Sequence, residues 1–172
     1  MENVPAGTDR TEVSEELPQG LERRLVLRLL AHWRSLCEER RFPSFADLDP
    51  DEIPDIWPFS FVLEVLDDGE EPVFRAVGEE LAACTGVPLA NLRASEAPAG
   101  TLPAVAISYV DEVLAKGVPI SRGGEFHKAG GTKVLYRSIL LPMSDDGETI
   151  SGILGAANCR EVEEESPPLA GQ

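Results

Sequence analysis

The order of elements that the sequence predicts places the chain in the α+β class. Two strands joined by a tight turn come first, helices occupy the middle of the chain, and three more strands complete it. An amphipathic helix precedes them all. Three observations support this prediction. Apolar residues recur at three- and four-residue spacing in two segments, runs of β-branched and aromatic residues follow, and Gly- and Asp-rich turns separate these runs.

The N-terminal helix is predicted over residues 21–41. Leu25, Leu29 and Trp33 recur at four-residue spacing and share one face. Neighbouring apolar residues widen this face beyond what a lone surface helix needs, so the helix covers either its own sheet or that of a second copy. We therefore predict these three residues as an interface and a homodimer as the assembly. Pro43 ends the helix, because the residue before a proline disfavours helical backbone.

The remaining elements are shorter. Strands are predicted over residues 59–66, 72–77, 118–128, 132–143 and 152–158, helices over 78–86 and 98–116, a helical turn at Asp49-Pro50, and hairpin turns at 67–69, 130–131 and 145–147. Glu64 alone interrupts the apolar run of the first strand, and Arg137 and Ser138 alone interrupt that of the fourth. A sheet with one wet face alternates regularly, so both faces of this sheet are predicted to be covered.

Charge is unevenly distributed along the chain. The 172 residues carry a net charge of −16. Residues 1–19 and 161–172 are acidic and rich in Pro, Gly and Ser, so we interpret them as a disordered head and tail around one domain, residues 20–160. The basic stretch is the N-terminal helix. An acidic body repels phosphate backbones, which argues against nucleic-acid binding.

Cysteine usage and hydropathy indicate the compartment. The three cysteines form no C-x-x-C pair and show no zinc-ligand spacing, so no metal site is predicted. The chain lacks an apolar leader and a run of 18 apolar residues, and we expect a cytoplasmic protein with reduced thiols. The basic helix could lie on an anionic membrane, but the acidic ends oppose that attraction and packing is the favoured interpretation.

Several short segments resemble a bacterial family of stand-alone PAS proteins, many of them of unknown function. They are Leu30-Ala-His-Trp-Arg34, Asp49-Pro-Asp-Glu-Ile-Pro54, Phe74-Arg-Ala-Val-Gly78, Tyr136-Arg-Ser-Ile-Leu-Leu-Pro142 and Gly152-Ile-Leu-Gly155. The resemblance covers about residues 21–160. It implies a five-stranded antiparallel sheet with flanking helices and a sensory or adaptor role in signal transduction. It supplies no catalytic residues to carry over.

A PAS cup holds its ligand between the inner face of the sheet and the short helices. The pocket candidates here are Phe61, Leu63, Phe74, Arg75, Tyr109, Tyr136 and Arg137, with the two arginines as anion contacts. The favoured interpretation is that the aromatic residues fill the core and the arginines pair with acids. We therefore predict a non-catalytic regulatory module that acts through protein–protein interaction with a signalling partner. A small-molecule sensor using the cup is the alternative, and a small enzyme using it is a weaker one.

Neither of the cofactors common in PAS domains is predicted. Asn158-Cys159-Arg160 resembles the reactive motif of flavin-binding light sensors, but that motif follows the second strand and this one follows the last. Cys84 lies in the corresponding region without the flanking Asn and Arg. Haem-binding PAS domains use a histidine on the long helix, and residues 98–116 contain none. Paired acids in turns are expected to be solvated, so no catalytic residues are predicted.

Overall fold

The computed structural model describes residues 21–66 and 70–163. The predicted acidic head, the turn at 67–69 and most of the predicted tail lie outside these residues. The helices and strands, in chain order, are α1 (Leu21–Cys37), β1 (Ser60–Glu64), β2 (Val73–Val77), α2 (Glu79–Ala82), α3 (Leu102–Ala106), α4 (Val110–Lys116), β3 (Ile120–His127), β4 (Lys133–Met143) and β5 (Gly152–Val162).

The five strands form one sheet in the order β2-β1-β5-β4-β3, and every neighbouring pair is antiparallel. This is the sheet that the PAS resemblance implies. Its centre is the long pairing of β4 with β5, which runs from Lys133 opposite Val162 to Met143 opposite Gly152. The pairing explains why β5 extends to Val162, four residues past the predicted end at 158. β2 and β3 are the edge strands.

Helices cover both faces of the sheet, which confirms the prediction made from its apolar strands. Helix α1 packs on one face, which we call the α1 face, against Val62, Ile139, Leu141, Met143, Leu154 and Ala156. Helices α2–α4 pack on the other, the cup face, against Phe61, Leu63, Ile120, Leu140, Ile153 and Ala157. Successive residues of a strand point to opposite faces, so β1, β4 and β5 each contribute to both clusters.

Helix α1 covers the sheet of its own chain. Leu25 and Trp33 are each 6% exposed and Leu29 is fully buried. The Trp33 indole Nε1 donates a hydrogen bond of 2.9 Å to the carbonyl of Pro142 on β4, which fixes the helix to the strand beneath it. The three residues predicted as an interface therefore lie in the core of a single chain. A homodimer formed through other surfaces stays a prediction.

All three predicted helices differ from their predicted bounds, and the one predicted over 78–86 is the four-residue α2, Glu79–Ala82. Helix α1 ends at Cys37 instead of 41, and Glu38 follows in the left-handed region with φ 55°. The predicted helix 98–116 is divided into α3 and α4. The break is a tight turn in which the Val110 amide donates to the Ile107 carbonyl, and it directs Tyr109 into the core. Apolar spacing alone continues across such a turn, so the sequence pattern did not reveal it.

Candidate functional site: a cavity at the rim of the cup

The centre of the predicted pocket is filled by its own side chains. Phe61 and Phe74 are each 1% exposed, and their rings meet edge to face with centroids 6.1 Å apart. Leu63 is fully buried beside them. Edge-to-face aromatic pairs of this kind stabilise a core beyond their buried area. These three candidates are thus part of the hydrophobic core on the cup face.

Tyr109 joins this core through a buried polar network. Its hydroxyl lies 2.7 Å from Ser138 Oγ, which in turn lies 3.4 Å from the carbonyl of Ala106 on α3. Burial raises the pKa of the Tyr109 phenol well above its ordinary value, and the hydrogen bond with Ser138 opposes only part of that rise. The phenol therefore stays neutral at physiological pH and connects the helices to β4.

The two arginines predicted as anion contacts face away from the cup. Arg137 is 1% exposed and lies beneath α1, beside Leu30 and Ile139. Arg75 pairs with Glu64 and donates to Asn91 Oδ1 at 2.8 Å. The reason is strand alternation: Arg137 stands between Tyr136 and Ser138, which both face the cup, so it faces α1. The prediction that these arginines line the cup pocket is therefore corrected.

A cavity of about 580 Å³ lies instead at the rim of the cup. We call it the rim cavity. It is lined by Ala83, Cys84, Ala99, Gly100, Thr101, Leu102, Phe126, His127, Lys128, Ala129 and Cys159. The walls come from the end of α2, the segment leading into α3, the β3–β4 hairpin and β5. Four separate parts of the fold therefore meet around one space, whose volume is typical of small-molecule sites.

Apolar side chains form much of the rim cavity. Leu102 is 4% exposed at its base, and the ring of Phe126 packs 5.9 Å from that of Tyr136. Tyr136, the remaining pocket candidate, is half-buried just behind this wall. Burial raises the pKa of its phenol, so it too stays neutral. The wall is suited to an apolar ligand body.

Five polar side chains line the cavity: Cys84, Thr101, His127, Lys128 and Cys159. Burial raises the pKa of the Cys84 thiol, and the nearby Lys128 ammonium offsets part of that rise. Lys128 pairs with Glu161, and this contact is the main cause of its raised pKa. At neutral pH Cys84 is therefore a protonated, weakly polar group, while Lys128 offers hydrogen-bond donors to a ligand acceptor.

Sequence reasoning considered Cys84 and Cys159 separately and did not place them in one cavity. One signal was available: Cys159 is two residues from Ala157, which faces the cup, so alternation puts Cys159 on the same face. No sequence signal joined it to Cys84, which reaches the cavity from a different element. Within residues 21–66 and 70–163, no group of three His, Cys, Asp or Glu side chains is placed to hold a metal ion.

None of the helices in the described part of the chain is long and apolar enough to cross a membrane.

A comparison with curated proteins found no match. Among solved structures, the LOV domain of the blue-light photoreceptor Aureochrome1 is 13% identical, with a TM-score of 0.44 over 66% of this chain and 88% of that one. A LOV domain from Erythrobacter litoralis is 11% identical, with a TM-score of 0.43 over 60% and 95%.

The Rhodobacter sphaeroides LOV protein is 13% identical, with a TM-score of 0.43 over 72% of this chain and 74% of that one. At such identities no ligand or activity of these proteins is carried over to this chain. The family model described as a PAS domain matches residues 22–158, which include every strand except the last four residues of β5. The chain belongs to the PAS domain family.

Proposed function

We propose that this chain is a sensory PAS module that binds a small molecule in the rim cavity and signals through contact with another protein. The observation that carries the proposal is the composition of the cavity walls. The segment before α3, the β3–β4 hairpin, β5 and the end of α2 all contribute, so one ligand would contact four elements at once. A ligand that binds two arrangements of these elements with different affinity shifts the population between them.

The expected ligand has an apolar body and at least one hydrogen-bond acceptor. Leu102 and Phe126 would pack against the body, and Lys128 would donate to the acceptor. The −16 net charge disfavours multiply charged anions, so a neutral or singly charged compound fits best. The function is regulation by binding, and we assign no catalytic role to the cavity residues.

Native mass spectrometry of the full chain, isolated gently from its source cells, tests the sensor. We expect a reproducible extra mass per chain. Ala99→Phe, which fills the cavity, should remove it, whereas Ala115→Phe on the exposed side of α4 should retain it. The sensor proposal fails if wild-type chain carries no extra mass and no compound in a metabolite panel raises its Tm, or if Ala99→Phe retains the ligand fully.

A ligand-free adaptor is the second candidate. It is favoured by the filled centre of the cup, where Phe61, Phe74 and Tyr109 pack with one another and with the sheet. An adaptor would keep its partner contact in the Ala99→Phe variant, whereas the sensor would lose the ligand dependence of that contact. Proteins that co-purify from the source cells with wild type and with Ala99→Phe, compared with and without the ligand extracted from wild type, separate the two candidates.

A further inference from the structure

The exposed side of α1 carries one basic stripe with an apolar centre. Arg24, Leu27, Arg28 and Arg34 are all exposed, and their spacing from Arg24 or Leu27 is three, four or seven residues, so they share one side of the helix. Leu27 is 46% exposed, and it is the most exposed large hydrophobic residue in the described part of the chain. The opposite side of the same helix is buried on the sheet, so this stripe is what α1 offers to a partner.

The charge of this stripe is opposite to that of the chain as a whole. The chain carries a net charge of −16. Helix α1, by contrast, contains four arginines and one glutamate. Arg28 is partly neutralised by Asp55, whose carboxylate lies 2.7 Å away, but both side chains remain more than half exposed. An acidic partner would therefore be repelled by most of the molecule and attracted to α1, which orients the encounter.

We propose that this stripe, Arg24, Leu27, Arg28 and Arg34, docks an acidic amphipathic segment of a partner protein. Glutamates of the partner would pair with Arg24 and Arg34, and one apolar side chain would cover Leu27. The inference deepens the proposed function by naming the output surface of the module. The rim cavity is on the cup face and α1 is on the opposite face, so input and output would be separated by the sheet.

An anionic membrane is a weaker occupant for this surface. Amphipathic helices bind membranes by inserting a continuous apolar face, and the apolar face of α1 is occupied by the sheet. Leu27 alone is left to insert. A protein segment needs only one apolar contact framed by charges, because interfaces commonly place a small apolar anchor inside a polar rim.

The probe is a fluorescent synthetic helical peptide with a stripe of Glu around one Leu, and its matched control has Gln in place of each Glu. Fluorescence anisotropy with the full chain at low ionic strength should show saturable binding of the Glu peptide alone. The double variant Arg24→Glu/Arg34→Glu should weaken binding about tenfold, from two lost exposed ion pairs and two new repulsions. Leu27→Ser should weaken it about fivefold through lost apolar burial.

A second double variant, Arg93→Glu/Lys116→Glu, makes the same change of net charge at two exposed residues on the cup side of the sheet and should stay within about twofold of wild type. Native mass spectrometry of Arg24→Glu/Arg34→Glu should show the same retained ligand as wild type, so loss of docking is distinguishable from failure of the sensor. Circular dichroism and Tm identify any variant that fails to fold, and the Leu27→Ser comparison then stands alone.

Four results would overturn the proposal. One is the absence of saturable peptide binding below about 1 mM. Another is equal weakening by the two double variants, which would make binding a matter of net charge. The third is tighter binding to phosphatidylglycerol vesicles than to the peptide, which would assign the stripe to membranes. Finally, replacement of Glu12, Glu15 and Glu16 by Gln in the full chain should leave the affinity for the peptide within about threefold of wild type. A tenfold gain in affinity would instead mean that the acidic head of the same chain occupies the stripe.

Discussion

The two faces of the sheet are covered in different ways, and the difference explains where the candidate site lies. One helix of 17 residues covers the α1 face, and its central residue Leu29 is fully buried. Three helices of four to seven residues cover the cup face. A long helix presents one continuous apolar stripe to a sheet, whereas short helices joined by turns leave gaps between them. The centre of the α1 face beneath the helix is therefore closed, and the cup face opens at its rim.

The largest expected effect is the difference in stability loss between a buried and an exposed leucine of α1. Leu29→Ala should lower the free energy of unfolding by about 2–5 kcal/mol, because it leaves a cavity between helix and sheet. Leu27→Ala, at a residue that is 46% exposed, should change it by about 0.5 kcal/mol or less. Urea unfolding followed by circular dichroism measures both. Equal losses would contradict the packing of α1 on its own sheet.

The next largest effect compares two glycines of β5 that face opposite sides. A Cβ at Gly155 would lie 2.3 Å from Cζ of Phe61, a ring that is 1% exposed and has no room to move. A Cβ at Gly152 would lie 1.9 Å from Cζ of Phe45, but that ring is only half-buried and can turn outward. Gly155→Ala should cost about 1–3 kcal/mol.

Gly152→Ala should cost less than Gly155→Ala, although its Cβ would also lie 3.0 Å from the backbone carbonyl oxygen of Leu63, which cannot turn outward. Urea unfolding measures both variants. The combined variant Gly155→Ala/Phe61→Leu should recover part of the loss, because the smaller side chain relieves the overlap. A Gly155→Ala variant as stable as wild type, or no recovery in the combined variant, would contradict the close approach of Phe61 to β5.

A smaller effect is expected from the buried network on the cup face. Tyr109→Phe removes the hydroxyl that contacts Ser138 and should cost about 1 kcal/mol. Tyr136→Phe, at the half-buried ring beside Phe126, should stay within about 0.5 kcal/mol. Thermal unfolding of the two variants under one buffer condition measures the contrast. Equal stability of both would mean that the network contributes little to attaching the helices to β4.

The smallest expected effect is the pH dependence of stability that Asp47 contributes, in the segment that follows α1. The backbone amide of Ser44 and the side chain of Arg40 both donate to the Asp47 carboxylate, at 2.9 and 2.8 Å, and these contacts hold its pKa below the ordinary value. A lowered folded-state pKa gives stability that is present above the unfolded pKa of about 4 and is lost as pH falls through the folded pKa. Asp47→Asn should therefore flatten the acid limb of stability against pH. An unchanged acid limb would contradict this account.

Much of the fold could be predicted because it depends on local patterns. The spacing of Leu25, Leu29 and Trp33 indicated α1, the apolar strands indicated that both faces are covered, and Asp49 does cap the short helical turn that begins at Pro50. The division between α3 and α4 escaped prediction, because Ile107 and Tyr109 keep the apolar pattern across the break.

The site was harder to predict, since it depends on contacts between distant segments. The aromatic candidates Phe61, Phe74 and Tyr109 are core residues, which was the favoured interpretation. Alternation along β4 could have excluded Arg137 from the cup. The meeting of Cys84 with Cys159 and Lys128 is set by how short helices pack over the sheet, and no spacing in the sequence reports that.

The three cysteines allow a direct test of the contrast between the faces. Cys37 is 8% exposed on the α1 face, whereas Cys84 and Cys159 line the rim cavity. Timed alkylation of the native chain with iodoacetamide, followed by peptide mass spectrometry, reports each thiol separately. We predict that Cys84 reacts first, Cys159 follows, and Cys37 reacts only when urea unfolds the chain. Modification of Cys37 as fast as Cys84 in the native protein would contradict a closed α1 face and an open rim.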